Sequence, residues 1–490
     1  MNCILLYGSN MMPLQKHGGV FRIASELRKH DYSVMCLDMG AFERVSKLDQ
    51  IAEILSNVVT ETTLWVGFST SFFDKIFGLN FRSKRETSPK LEAFLAFIRT
   101  LNPNIKIIAG GSRYFPLERH GVTIFKGYSD KEIVDFTKWC STKKLSNLEF
   151  TTSLVQGTEF KEFSSSQIRY VKEDLVQSLD APPIEISRGC IFKCKFCAFP
   201  LNGKTKGDWV KHGEILLDEL NYNYDKFGIT HYTFTDDTYN DSLDKLKYLH
   251  DTVFSKLKFQ IHFSSYLRLD LLMRFPESIE YLKASGLRSA MFGIETINHQ
   301  SAKAIGKGVE PYTQLDYIRE LKQNAFKDIL ISSGFILGLP YDTFDTLQEF
   351  DEFLSSDRNY LDSWHISALG ITPPNRFTNT FYSEFDLTYE KYGYEVDDFG
   401  WFNKNTGLTY AHCYQIAETI MEKSKKHPKC KFAGFSYNYV RRLGIPESDI
   451  RTLSRSELES KYNLGLLSNK ECETYVTSML NLSREIKNLR

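Results

Sequence analysis

Ile184-Glu185-Ile186-Ser187-Arg188-Gly189-Cys190-Ile191-Phe192-Lys193-Cys194-Lys195-Phe196-Cys197 is the stretch on which the reading of this chain turns. Its first three residues read as a short strand, and Ser187-Arg188-Gly189 reads as a turn whose backbone N–H groups can face a negative charge. Three cysteines follow in a C-x3-C-x-F-C spacing. Thiolates are soft ligands that suit iron-sulfur chemistry, and a four-iron cubane normally takes four of them. Three thiolates from one tight loop leave one iron open to a small molecule. A structural zinc site is the alternative reading, but zinc knuckles usually recur in spaced pairs, and no second C-x2-C or paired histidine motif occurs. Cys190, Cys194 and Cys197 are therefore the candidate metal ligands, on a loop at the C-terminal end of a strand.

This loop, with Phe196 beside its third cysteine, resembles the defining motif of the radical S-adenosylmethionine (radical SAM) superfamily. The resemblance implies a 4Fe-4S cluster whose free iron is chelated by S-adenosyl-L-methionine. It further implies reductive cleavage of that molecule to a 5'-deoxyadenosyl radical, which abstracts a substrate hydrogen. The hard chemistry would belong to the cofactors, with the protein supplying position and shielding.

Composition agrees with an ordinary globular protein of about three domains. The chain has 490 residues, is 42% hydrophobic, and balances 61 basic against 61 acidic side chains. With no net charge there is no global field toward nucleic acid or a membrane, so any nucleic-acid contact would have to be a local patch. Residues 1–15 lack a basic leader and are broken by Gly8-Ser9-Asn10, and apolar runs such as 329–341 are too short to span a bilayer. Nine cysteines, six of them scattered, read as reduced thiols, and the expected compartment is the cytoplasm.

Residues 1–145 alternate strands and helices. Apolar runs at 3–7, 34–39, 63–68 and 105–109 are separated by helical spacing at Val20, Ile23, Ala24 and Leu27 and at Leu91, Phe94, Leu95 and Ile98. This pattern predicts a Rossmann-like parallel sheet with ligands at the strand ends, near Gly8-Ser9-Asn10, Ser69-Thr70-Ser71 and Gly110-Gly111-Ser112. The layout resembles the cobalamin-binding domain of one branch of the superfamily. Domains that ligate cobalt through histidine use Asp-x-His-x-x-Gly, whereas here Gln15 stands in the Asp position, and Gly18-Gly19 follows His17. Two readings stay open: cobalamin held without a histidine ligand, and a domain that binds no corrin. His17 is expected to be a solvated loop residue. Cys3, Cys36 and Cys140 could carry the second cluster of the related methylthiotransferases, but their apolar and helical settings read as buried hydrophobes.

Residues 146–183 read as a polar linker with a serine cluster, and residues 184–375 as a partial (β/α)6 TIM barrel. Its expected strands lie at 184–186, 230–234, 259–263, 289–294, 329–337 and 364–369. The resemblance places the methionine amino group at Thr235-Asp236-Asp237, a segment that equally suits a helix cap. It pairs the methionine carboxylate with Arg268 and the ribose hydroxyls with Glu295. Gly334 to Thr343 is similar to the family's G-x-I-x-G and G-x-P-x-E-T segments, with Gly338 near adenine and Asp342 in place of the usual glutamate. Residues 376–490 read as a mostly helical cap with a packed aromatic cluster around Trp401 and a solvated basic run, Lys423 to Lys431. The fold class is thus α/β: Rossmann-like sheet, partial barrel and helical cap. Substrate and reaction outcome are not legible; methyl transfer, rearrangement, oxidation and methylthiolation stay open. A reductant such as flavodoxin or ferredoxin is the expected partner, docking on Lys193, Lys195, Lys204 and Lys206, with substrate contact as the alternative for the last two.

Overall fold

The computed structural model describes residues 1–8, 12–70, 88–111, 117, 120–142, 154–157, 161–199, 201–373, 382–397 and 399–490. Ser9, Asn10, Ser71, Ser112 and the 375/376 boundary lie outside them. The chain forms two units: residues 1–177 with 375–380 and 465–490, and residues 178–374 with 381–464.

In the first unit, strands β1 (Cys3–Tyr7), β2 (Val34–Asp38), β3 (Trp65–Ser69), β4 (Lys106–Gly110), β5 (Val122–Lys126) and β6 (Leu154–Gln156) form one parallel sheet in the order 2-1-3-4-5-6. β1 and β2 are buried at every residue, as strands covered on both faces by helices must be. Helix Pro89–Leu101 starts where Ser88 accepts from Leu91 N, with proline at its first position, and buries Leu91, Leu95 and Ile98.

Two expectations change here. The 146–183 linker contains β6, paired with β5 through Ile124 and Leu154. Its later part is tied to the first helix, Gly18–Arg28, by a two-pronged Arg28–Asp174 pair at 2.8 Å. The polar composition that read as a connection is that of an anchored strap. The last helix, Leu464–Asn488, is part of this unit and not of a separate cap. Cys472, Tyr475, Val476 and Met479 enter the core beside Ile51, Ile54 and Met39, and Tyr475 Oη accepts from Asp38 N at 2.9 Å. Each such buried side chain contributes roughly 1.5–3 kcal/mol, enough to hold a helix far from its neighbours in sequence. His17 is not a solvated loop residue, because it packs on the Tyr7 ring at 5.0 Å. Cys3 and Cys36 are buried in strands, as read from their apolar surroundings.

In the second unit, β7 (Pro183–Ile184), β8 (His231–Phe234), β9 (His262–Leu267), β10 (Leu287–Glu295), β11 (Leu330–Leu337) and β12 (Ser363–Ala368) form a parallel sheet whose spatial order follows the sequence. Helices between consecutive strands make it a partial barrel. β9 begins three residues later than expected and runs on to Leu267, through Ser264 and Ser265, which are buried rather than turn-forming.

Those serines have a purpose that local pattern does not reveal. Helix Phe435–Arg442, from the segment read as a cap, lies against the barrel interior. Asn438 Nδ2 donates to Ser264 Oγ at 2.7 Å and Thr233 Oγ1 at 2.8 Å, and Gly434 N donates to Ser289 Oγ at 2.6 Å. Gly434 sits at φ +63°, where a Cβ would stand 2.9 Å from Ser332 Oγ, so glycine is needed both for the turn and for the approach. The remaining cap includes an antiparallel hairpin, β13 (Tyr394–Asp397) and β14 (Gly400–Asn403), carrying the aromatic cluster read around Trp401. In the basic run, Lys423, Lys425, Lys429 and Lys431 each pair with a nearby carboxylate. Among the described residues no helix is long and apolar enough to cross a membrane.

Candidate functional site

The cysteine loop leaves β7 and is held by its own main chain. Gly203 N and Lys204 N donate to Cys190 O at 2.7 and 3.2 Å, Cys197 N donates to Cys194 O at 3.1 Å, and Lys195 N reaches Ile305 O at 3.0 Å. The three cysteines are reduced and half-buried. Burial pushes the Cys190 and Cys197 thiols up. Thr238 Oγ1 is 3.2 Å and Phe192 N 3.5 Å from Cys190 Sγ, and Arg268 Nη1 is 3.4 Å from Cys194 Sγ. N–H groups and positive charge therefore already face the sulfurs, which is what a cluster of thiolate-bound irons requires. No three His, Cys, Asp or Glu side chains among the described residues are gathered for a single ion, a spacing that thiolates on separate irons do not need.

Arg268 follows β9. Its Nε and Nη2 grip Asp270 at 2.9 and 2.6 Å, and its guanidinium carbon lies 3.9 Å from the Phe192 ring centroid. Its own backbone is clamped by Asn240, which accepts from Arg268 N at 2.7 Å and donates to its carbonyl at 2.9 Å. One edge of the fork is thus committed, and the other points along the cysteine loop.

The three residues after β8 divide their labour. Thr235 is exposed and donates through its N–H to Ile184 O at 2.9 Å. Asp236 is fully buried and accepts from Ile186 N at 3.1 Å and Ser187 Oγ at 2.5 Å. Its carboxylate braces the strand that enters the cysteine loop and faces no open space. Asp237 is only partly buried; burial first, then the Glu185 and Asp236 charges, push it up to about 7.

Glu295 ends β10 at a register shift with Gly293 and holds φ +72°, a conformation unusual for a residue with a side chain. Lys307 Nζ pins the turn, 3.5 Å from Glu295 Oε1 and 2.7 Å from Gly293 O, and lies 5.7 Å from the Phe196 ring centroid. Phe196 and Glu295 therefore share one cation. Tyr266, unmarked in the sequence reading, belongs to the same place. Burial and the nearby Glu295 and Asp237 charges push its hydroxyl up to about 12. It escaped notice because β9 runs further than its apolar residues suggest.

Gly338 has φ +82°, and a Cβ there would stand 2.5 Å from the Trp401 ring and 2.8 Å from Cys413 Sγ. Asp342 accepts from both Gly338 N and Leu339 N at 3.0 Å and from Ser301 Oγ at 2.8 Å, so the shorter carboxylate reaches the turn. Glu295, Asn298, Leu337 and Asp342 border a narrow cleft with room for about one water. One expected residue does not join the exposed lysines: Lys204 is buried beside Asp241 at 3.6 Å.

Residues 184–354, which contain the cysteine loop, the end of β7 and strands β8 to β11, match the model of the Radical SAM superfamily. The barrel belongs to that superfamily. An uncharacterized methyltransferase of Pyrococcus horikoshii is 28% identical over 171 residues, which is 34% of this chain and 35% of the relative. The shared part is thus about a third of that relative. Among solved structures, the radical S-adenosylmethionine methyltransferase TsrM from Kitasatospora setae, with cobalamin and a 4Fe-4S cluster bound, aligns with a TM-score of 0.60 at 14% identity, covering 99% of each chain. The cobalamin-dependent radical enzyme OxsB, with aqua-cobalamin and S-adenosylmethionine bound, gives 0.53 at 15% identity over 99% of this chain and 72% of the other. At these identities the likeness is one of fold: a Rossmann-like sheet accompanies a radical SAM barrel in one chain.

Proposed function

We propose that this chain reductively cleaves S-adenosylmethionine at a 4Fe-4S cluster on Cys190, Cys194 and Cys197, and that it binds cobalamin on its N-terminal unit for a radical methyl transfer. The observation that carries the reading is the meeting of three reduced half-buried cysteines with Arg268, 3.4 Å from Cys194, on the face where Glu295 ends β10 and Asp237 follows β8. When bound, the cluster supplies the electron that breaks a carbon-sulfur bond of S-adenosylmethionine. The Nη1 edge of Arg268, which Asp270 does not grip and which faces Cys194, would receive the methionine carboxylate, with Asp270 holding the guanidinium in its plane. Asp237 and the exposed Thr235 would meet the amino group, while Asp236 positions the strand behind them. Glu295, held by Lys307, would accept from the ribose hydroxyls, and the Gly338 turn would lie beside adenine.

Cobalamin rests on the similarity to TsrM and OxsB and on the 2-1-3-4-5-6 strand order, whose reversal at β1 and β3 is the position where open α/β sheets take their ligands. The histidine-ligated mode does not fit, since Gln15 stands in the aspartate position and His17 packs on Tyr7. Flavodoxin or ferredoxin is the proposed electron donor, drawn by Lys193, Lys195 and Lys206. Anaerobic reconstitution followed by dithionite and S-adenosylmethionine should yield 5'-deoxyadenosine from wild type and none from Cys194→Ala; equal yields would refute the cluster assignment. Equilibrium dialysis with hydroxocobalamin should show saturable binding. No binding, with 5'-deoxyadenosine still formed, leaves a radical SAM enzyme without cobalamin.

A further inference from the structure

The N-terminal ends of β8, β9 and β10, at the opposite end of the strands from the cysteine loop, carry a cationic cluster that the proposed reaction does not use. His231 opens β8, His262 opens β9, and Arg288 is the second residue of β10. Helices Phe435–Arg442 and Glu447–Thr452 add Arg441, Glu447 and Arg451. The two histidine rings meet edge to face at 4.8 Å. Glu447 serves as internal counter-ion: Oε1 is 3.6 Å from His231 Nε2 and 4.0 Å from Arg288 Nε, and Oε2 is 3.7 Å from Arg451 Nη2. Tyr437 Oη also donates to it. Nearby Asp180 is engaged by Arg442 Nε at 2.5 Å.

One carboxylate does not satisfy the group. Nε of Arg288, Arg441 and Arg451 and Nδ1 of His262 are buried without a hydrogen-bond partner among the described residues. Burial, Arg288 and His231 pull His262 down to about 4, so it is neutral at pH 7. Three guanidinium charges against Glu447 then leave a net of +2. Unpaired charge and orphaned donors in a partly dry site are costly, and an oxyanion that accepts from several of them offsets that cost. The site is open on one side, because the side chains of Arg288, Arg451 and Glu447 are 23%, 27% and 33% exposed.

We propose that this cluster binds a tetrahedral oxyanion, phosphate itself or the terminal phosphate of a monoester. Phosphate near neutral pH carries between one and two negative charges and presents several acceptor oxygens, which matches the net charge and the arginine forks. The site is separate from the proposed nucleotide site: the seven residue steps along β10 from Arg288 to Glu295 span about 23 Å. It therefore stands whether or not the radical reaction does.

The test is calorimetric titration of the full chain with inorganic phosphate and with phenyl phosphate, against chloride at equal ionic strength, with thermal melts run in parallel. Saturable binding or a saturable rise in melting temperature is expected with phosphate and not with chloride. Tighter binding of phenyl phosphate assigns the site to a phosphorylated molecule, and tighter binding of inorganic phosphate assigns it to the free ion. Arg451→Gln should weaken binding about tenfold, the loss of one charge-assisted contact. Glu447→Gln removes the competing carboxylate and should tighten it. Neither heat nor a melting shift beyond that of chloride, or binding indifferent to both substitutions, overturns the proposal and leaves an ion-pair lock on the barrel floor. Should either variant fail to fold, the wild-type comparison with chloride still decides.

Discussion

Two six-stranded parallel sheets make up this protein, and they differ in one property, the order of their strands. In the first unit the order reverses around β1, so the sheet stays open, is covered on both faces, and fills itself with Ile, Leu, Val and Met. In the second the order follows the sequence, so the sheet curls and encloses an interior that must be filled from elsewhere. Serines on its strands make room for helix Phe435–Arg442. Both units bury an aspartate that accepts two backbone N–H groups: Asp38 from Leu14 and Gly40, Asp342 from Gly338 and Leu339. Among the described residues, only the curled sheet gathers cysteines, arginine and glutamate at one end. Connectivity rather than strand composition decides which sheet becomes a reaction vessel.

The sharpest way to break this comparison is to remove a thiolate. Cys197→Ala should abolish cluster absorbance and 5'-deoxyadenosine formation while leaving the first unit's hydroxocobalamin binding unchanged; parallel loss of both would mean that the units are not functionally distinct. Asp236→Ala should cost about 3 kcal/mol in urea unfolding, because it strands Ile186 N and removes a counter-charge from Lys245. Asp237→Asn, one residue on, should stay within about 1 kcal/mol and instead raise the KM for S-adenosylmethionine. Gly338→Ala should cost about 2–3 kcal/mol, from its φ of +82° and the nearby Trp401 ring.

Asp38 supplies a pH test confined to the first unit. Burial raises its carboxyl from 3.8 to about 6 in the fold. The folded state therefore holds this proton more tightly, and the associated stability is complete below pH 4 and lost as pH rises through about 6. Subtracting the Asp38→Asn stability profile from that of wild type should reveal a decline of about 1–3 kcal/mol across this window, on top of a constant offset from the second N–H. A flat difference would mean that Asp38 titrates normally. The smallest effect belongs to Lys206, whose pair with Asp244 at 2.7 Å is exposed and screened by solvent. Lys206→Glu should leave the melting temperature nearly unchanged and slow reduction by flavodoxin several-fold at low salt only. Slowing that persists at high salt would point to a direct role in the cluster loop.

The sequence by itself determined the parts whose physics is local. Ligand type and spacing marked Cys190, Cys194 and Cys197, and strand-helix alternation announced two parallel sheets, since hydrophobic period is written along the chain. Residues at strand ends, Arg268, Glu295 and Gly338, could be placed because a barrel exposes its chemistry there. What depends on distant segments could not be read. The burial of Lys204 beside Asp241, the brace that Asp236 forms, and the approach of Tyr266 to Glu295 each arise from partners or registers that no local window contains. The same holds for the last helix, recruited to the first unit by four buried side chains, and for helix Phe435–Arg442, whose place is decided by serines on β9, β10 and β11. Apolar burial and close packing act between surfaces, so the tertiary structure alone decides which surfaces meet.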